Sequence, residues 1–335
     1  MARRRFDESD VKIRPGKGSR PRTKKRPRHD DALFGMVVSK DRGRWGVVLD
    51  EEAAKAEPAV VACMRARELG RTPIEVGDRV GVVGDTSGRP GTLARIVILS
   101  ERSTVLRRTA DDTDSYERTV VANAELLLIV TAVADPPPRE GFIERGVIAA
   151  VAGGLKPVVC LTKTDLADPG EFASRLTDLD VPVLAVGTGD GLDDLKKLIA
   201  GRVSALIGHS GVGKSTLVNR LVPDAHRETG DVSAMGKGRH TSTQAVALRL
   251  PEGGWVIDTP GIRSLGLAHV SEDDVIGAFE EIDEATERCP RGCGHLGPPA
   301  DPECELDRLT GADARRADAV RGLLTALRSK EHWED

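Results

Sequence analysis

One stretch of this chain narrows its possible folds more than any other: Gly208-His-Ser-Gly-Val-Gly-Lys-Ser215. It follows the apolar run Val203 to Ile207 and precedes a helical stretch from Thr216 to Leu221. A glycine-rich turn between a strand and a helix is a phosphate-binding loop, whereas the same glycines elsewhere could be an ordinary turn beside an exposed lysine. The glycines let backbone N–H groups turn inward around a β-phosphate. Lys214 is expected to reach the β- and γ-oxygens and the Ser215 hydroxyl to coordinate Mg²⁺. The nucleotide contacts are expected from Gly208, His209, Ser210, Gly211, Val212, Gly213, Lys214, Ser215 and Thr216.

Further motifs fit the same chemistry. Trp255-Val-Ile-Asp-Thr-Pro-Gly261 reads as an apolar strand delivering Asp258 to the carboxyl edge of a sheet, about 45 residues beyond the loop. There Asp258 can hold Mg²⁺ through water, and the Gly261 N–H can meet a γ-phosphate. Between them the polar stretch Gly236-Lys-Gly-Arg-His-Thr-Ser-Thr243 offers Thr241 or Thr243 to complete the Mg²⁺ shell. The base reader is expected in Leu161-Thr-Lys-Thr-Asp-Leu166, after another apolar run. Lys163 can stack on a purine and Asp165 can accept from guanine N1 and its exocyclic amine, with Thr162 and Thr164 beside them; Thr162 stands where GTPases usually carry Asn, and its shorter hydroxyl is expected to weaken the contacts to guanine N7 and to the phosphate loop. The same residues would also suit a helix N-terminus with Asp165 near its cap.

The order of these motifs is itself informative. The base reader precedes the phosphate loop, and Val186-Gly-Thr-Gly-Asp-Gly-Leu192, a ribose-side loop by position, lies between them. A conventional GTPase has the reverse order, so the expected core is a circularly permuted α/β P-loop domain over residues 108–269. Apolar strands alternating with helical stretches from about Asn123 to Gly266 support a parallel sheet covered on both faces.

Around this core, residues 32–107 carry five short β-type runs, Phe34 to Val38, Trp45 to Leu49, Val60 to Met64, Arg79 to Val83 and Leu93 to Leu99. Their turns suit an oligonucleotide-binding (OB) barrel, a fold that binds RNA on one face. Residues 1–31 read as a disordered basic tail, since Arg and Lys number 12 in the first 28 positions against Asp7, Glu8 and Asp10. The whole chain is nevertheless at a formal −4, so the remainder is acidic. No apolar run is long enough to span a bilayer, and a cytoplasmic monomer without membrane contact is expected.

Five cysteines, an odd number, argue against a disulfide framework. Three of them, Cys289, Cys293 and Cys304, crowd beside His295 in residues 270–335, read otherwise as helical. Three thiolates and an imidazole suit one structural Zn²⁺.

An OB-like barrel, a permuted GTPase and a Cys-Cys-His-Cys module together resemble the bacterial small-ribosomal-subunit-dependent GTPase family (RsgA, also called YjeQ). The resemblance rests on the Gly-His-Ser-Gly-Val-Gly-Lys-Ser loop, Gly-Arg-His-Thr-Ser-Thr, Asp-Thr-Pro-Gly and the zinc cluster, and runs from residue 32 onward. Thr162 and the longer final zinc spacing depart from it. The resemblance implies a GTPase that cycles between GTP and GDP, binds the small ribosomal subunit and its rRNA late in maturation, and is stimulated there. Catalysis is assigned to Lys214 and Asp258, and because Ile262 stands where a water-orienting side chain would follow Asp-Thr-Pro-Gly, His240 is the candidate for that task. The alternative is a GTP-regulated zinc protein with another RNA partner.

Overall fold

The computed structural model describes residues 29–329, apart from 54, 56, 110–116, 188–190, 224–244, 260–266 and 268–269. The basic tail lies outside the described residues.

Alternation of inward apolar residues shapes the first unit. Trp45, Val47 and Leu49, every second residue of one strand, are all buried, as a strand with one face on a core requires. The strands are β1 (Leu33–Asp41), β2 (Arg44–Leu49), β3 (Val60–Arg65), β4 (Arg79–Gly84) and β5 (Ala94–Leu99). β1 pairs with β2 and β4, β2 with β3, β3 with β5 and β5 with β4, so the five close on themselves as a barrel. Closure leaves no free edge among them.

Asp78, in the turn before β4, is completely buried. Its carboxylate accepts from the Glu75 N–H at 2.7 Å, from Arg102 Nε at 2.7 Å and from Arg102 Nη2 at 2.8 Å. Arg102 also donates to the Pro73 carbonyl and to Thr119 Oγ1. Thr119 belongs to β7 (Glu117–Ala122), which pairs antiparallel with β6 (Val105–Thr109). This hairpin, which the sequence reading did not anticipate, is fastened to the barrel side by the Arg102 bond to Thr119 and by the Ala122 N–H, which donates to the Val76 carbonyl at 3.0 Å.

The larger sheet holds β8 (Leu126–Ala132), β9 (Lys156–Thr162), β10 (Val183–Ala185), β11 (Val203–Ile207), β12 (Val246–Arg249) and β13 (Trp255–Asp258). Their order is β10-β9-β8-β11-β13-β12, all parallel except β12, which also meets β1 at Ser39 opposite Val246. β8 is buried on both faces, which explains its unbroken apolar run. Leu126, Leu128, Val130 and Ala132 share a core with α3 (Leu192–Ile199) and α4 (Lys214–Leu221). Leu127 and Ile129 point the other way, toward α1 (Glu140–Ala152) and α2 (Pro169–Arg175).

α1 is itself apolar nearly all round, with Phe142, Ile143, Val147, Ile148 and Val151 buried. Such a helix needs cover on its outer side. That cover is supplied by α5 (Glu272–Ile276) and α7 (Ala312–Arg328), which contact it directly; α6 (Glu280–Thr286) packs on α7. Ser271 and Asp274 form a capping box at the start of α5. Arg316 of α7 lies 2.8 Å from Asp180, in the loop before β10, with its guanidinium 4.8 Å from the Phe279 ring centre. Among the described residues no helix is long and apolar enough to cross a membrane.

Replacing Arg102 with Ala would leave Asp78 buried without its counter-charge. Urea unfolding of Arg102→Ala is expected to show a loss of about 3 kcal/mol. A loss below about 1 kcal/mol, the scale of an exposed pair, would show that Asp78 finds water or another partner.

Candidate nucleotide-binding site and metal centre

The loop from Gly208 to Gly213 leaves the carboxyl end of β11, the strand between β8 and β13. In an open α/β sheet ligands gather where successive connections diverge, and that point lies here between β8 and β11. A Cβ on Gly208 would stand 2.7 Å from the Val130 carbonyl oxygen, so the loop can pass this close to β8 only as glycine. Gly213, at φ +88°, adopts a left-handed conformation and caps α4 without any side-chain hydrogen bond. The first-turn N–H groups of α4 are thus left without a side-chain cap, the arrangement that receives an anion.

Lys214 begins α4, and its Nζ lies 2.9 Å from Asp258 Oδ1 and 3.0 Å from the Thr259 carbonyl. Asp258 ends β13, and the parallel register of β11 and β13 pairs Leu206 with Asp258. The two residues separated by 44 positions thus meet because their strands are neighbours. Both are largely enclosed, at 12% and 30% side-chain exposure, which strengthens their attraction over that of a surface pair. Ser215 and Thr216 are exposed on the first turn of α4.

His209 takes a different position from the rest of the loop. Its ring lies against Phe142 of α1, with centroids 4.1 Å apart. Burial, assisted by Arg139 and Arg145, holds its pKa below the ordinary histidine value, so the ring is kept neutral. Ser210 is exposed and Val212 buried, anchoring the loop to the α4 face of the sheet.

The base-reading motif ends β9, two strands from β11. The Thr162 hydroxyl has the Val212 carbonyl at 2.5 Å and the Thr131 carbonyl at 3.1 Å. Thr162 does make a contact to the phosphate loop, because Val212 approaches β9 closely. Lys163, at φ +54°, donates to the Asp135 carbonyl in the loop after β8. Asp165 is exposed and does not cap a helix; α2 is capped instead by Asp168, which accepts from the Gly170 N–H at 2.9 Å. Thr164 is half-buried beside Gly187.

A cavity of about 310 Å³ lies between these parts, lined by Thr162, Lys163, Asp165, Leu166, Val186, Gly187, Gly213, Thr216, Leu217 and Arg220. Its size suits a small-molecule ligand. Arg220, which the sequence reading passed over, donates from Nη1 to the carbonyls of Val186 at 2.9 Å and Gly187 at 2.5 Å. Its signal was there: Gly213, Thr216, Leu217 and Arg220 are spaced i, i+3, i+4, i+7 and so share one helix face. His240, Thr241, Thr243 and Gly261 lie outside the described residues.

The second centre gathers Cys289, Cys293, His295 and Cys304, whose ligand atoms all lie within 4.8 Å of one another. His295 Nδ1 is buried with no hydrogen-bond partner, a cost that ligation would remove. Backbone N–H groups of His295 and Glu305 point at the sulfurs of Cys293 and Cys289, each at 3.4 Å. The donor set and its enclosure fit a closed tetrahedral Zn²⁺ site. Asp301 braces the loop by accepting from the N–H groups on either side of the histidine, Gly294 and Leu296, each at 2.9 Å. Arg321 bonds the His295 carbonyl and Arg328 the Gly294 carbonyl. Sequence spacing brought out the four Cys/His residues but not these three braces: Asp301 lies in the same loop, and Arg321 and Arg328 come from α7.

The RsgA GTPase family model matches residues 99–268. The small ribosomal subunit biogenesis GTPase RsgA of Ectopseudomonas mendocina is 40% identical over 310 residues, covering 88% of this chain and 85% of that protein. RsgA of Pseudomonas putida is 37% identical over 285 residues, 82% of this chain and 78% of that one. Among solved structures, YjeQ from Thermotoga maritima superimposes with a TM-score of 0.62 at 24% identity, over 88% of this chain and 99% of that one. YloQ, described as a circularly permuted GTPase, gives 0.61 at 20% identity, over 91% and 98%. At these identities the two structures speak for the fold.

Thr162→Val keeps the shape of the side chain but strands the Val212 carbonyl, and a loss of about 1–3 kcal/mol in unfolding free energy is expected. Unchanged stability would mean that water replaces the hydroxyl. For the second centre, metal analysis is expected to find one Zn²⁺ per chain. Its removal by a chelator, or His295→Ala, is expected to lower the melting temperature, with zinc restoring the native value only in the unmutated chain.

Proposed function

The chain belongs to the RsgA GTPase family, and on that premise we propose that it serves late maturation of the small (30S) ribosomal subunit, hydrolysing GTP to GDP and phosphate while bound there. The observation that carries the reading is the single cavity walled by Lys163 and Asp165 on one side and by Gly213 and Thr216 of the phosphate-loop helix on the other. It unites a guanine reader with a phosphate cradle. The named relatives are small ribosomal subunit biogenesis GTPases, and that partner, with its rRNA, is carried to this chain by similarity over more than four-fifths of its length. The barrel offers the RNA-binding type of fold.

The proposed reaction is attack of water on the γ-phosphorus, with cleavage of its bond to the β-phosphate oxygen and release of GDP. The α4 N–H groups and the loop amides orient the phosphates. Lys214 leaves Asp258 for the β- and γ-oxygens, where its charge offsets the negative charge that grows in the transition state. Asp258, Ser215 and Thr241 or Thr243 are the residues that would hold Mg²⁺, Asp258 through water once Lys214 has moved to the phosphates. Mg²⁺, when bound, neutralises the phosphate oxygens that Lys214 does not reach. The Gly261 N–H is assigned to the γ-phosphate and His240 to the attacking water. Lys163 stacks on the base and Asp165 accepts from its N1 and amino hydrogens. Cys289, Cys293, His295 and Cys304 hold a structural Zn²⁺ with no open position for chemistry.

GTP turnover measured alone and with purified small or large subunits tests this. GTP-selective stimulation by the small subunit only is expected, with Lys214→Ala lowering kcat by about two orders of magnitude or more. Turnover indifferent to both subunits would instead favour a GTP-regulated zinc protein that serves another RNA.

A further inference from the structure

Guanine presents two edges to a protein. Its N1–H and amino group need acceptors, which Asp165 provides under the reading above, on which this inference rests. Its O6 and N7 need donors, and the usual donor position is Thr162. That hydroxyl has one proton, already committed to the carbonyls of Val212 and Thr131. Lys163 is held by the Asp135 carbonyl. Thr216 remains, with a single short hydroxyl on the first turn of α4.

Arg220 is the other side-chain donor of the cavity wall. Its guanidinium carries five N–H donors in a rigid fork. Among the described residues only Nη1 is engaged, on the carbonyls of Val186 and Gly187. Nε and Nη2 have no hydrogen-bond partner among the described residues. The two carbonyl bonds pin the fork against the loop after β10, and the i, i+3, i+4, i+7 face of α4 aims the side chain into the cavity that Asp165 also lines.

We propose that Arg220 is a specificity-determining residue that reads the O6 and N7 edge of guanine, taking over the recognition that Thr162 cannot make. Paired acceptors on that edge match an arginine fork, the commonest specific contact to guanine. Adenine presents an amino donor there instead of O6 and would face Arg220 donor to donor. Asp165 and Arg220 thus select guanine from its two opposite edges.

The test compares binding of GDP and 7-deaza-GDP, which lacks the N7 acceptor, to the full chain by calorimetry. The unmutated protein is expected to bind 7-deaza-GDP about tenfold or more weakly, the scale of a charge-assisted hydrogen bond. In Arg220→Ala the two ligands are expected to bind within about twofold of each other, both weaker than GDP to the unmutated chain. Equal binding of the two ligands by the unmutated protein overturns the proposal without any mutant. So does a preference for GDP that survives in Arg220→Ala, which would leave Arg220 only the task of holding the loop. If the alanine variant fails to fold by circular dichroism, Arg220→Gln, which can still donate to one loop carbonyl, replaces it with the same expected narrowing. Failure of the unmutated chain to bind GDP at all would instead sink the GTPase reading beneath it.

Discussion

Five strands that run in one direction, β10, β9, β8, β11 and β13, deliver their carboxyl ends to one edge of the sheet, and the glycine-rich loop before Lys214, the segment after Thr162 and Asp258 all lie at that edge. Hydrogen-bond ladders hold neighbouring strands roughly 4.8 Å apart. Asp258 is therefore one strand from the phosphate loop and can pair with Lys214, while Thr162, two strands away, touches Val212 only because the loop folds back over β8. Chain order matters little to this arrangement. The ladder is indifferent to where the chain is cut, so Lys163 and Asp165 can precede the glycine-rich loop in sequence without changing their distance from it in space.

The cut does change what each end is joined to. Beyond β13 the chain enters α5, which lies with α7 on the outer side of α1. That contact is what allows α1 to be apolar on nearly every face. The ligand loop of the Cys/His centre is braced by Arg321 and Arg328 of α7, and Arg316 of the same helix meets Asp180 just ahead of β10. From β10 the chain passes to Val186 and Gly187, which wall the cavity. One helix thus spans from the Cys/His cluster to the strand whose end leads into the wall of the cavity.

Read without its fold, the chain already displayed the glycine-rich loop before Lys214, the Cys/His cluster, the strands with strong apolar runs and the permuted order, because each shows in the sequence itself: glycines followed by Lys214, thiols beside His295, periodicities of two or 3.6. Five barrel strands and β11 fall within a few residues of where those patterns place them. The hairpin β6–β7 and strand β12 escaped notice, since Leu-Arg-Arg and Val-Ala-Leu-Arg are too short or too charged to announce a strand until a partner supplies the hydrogen bonds. What tertiary structure alone decided was pairing across distance: Asp78 with Arg102, Lys214 with Asp258, Thr162 with Val212, and Arg220 with the loop after β10. A side chain's partner is set by which strands become neighbours, and that choice comes from burying apolar faces over the whole sheet, an energy spread across many residues and written at no single position.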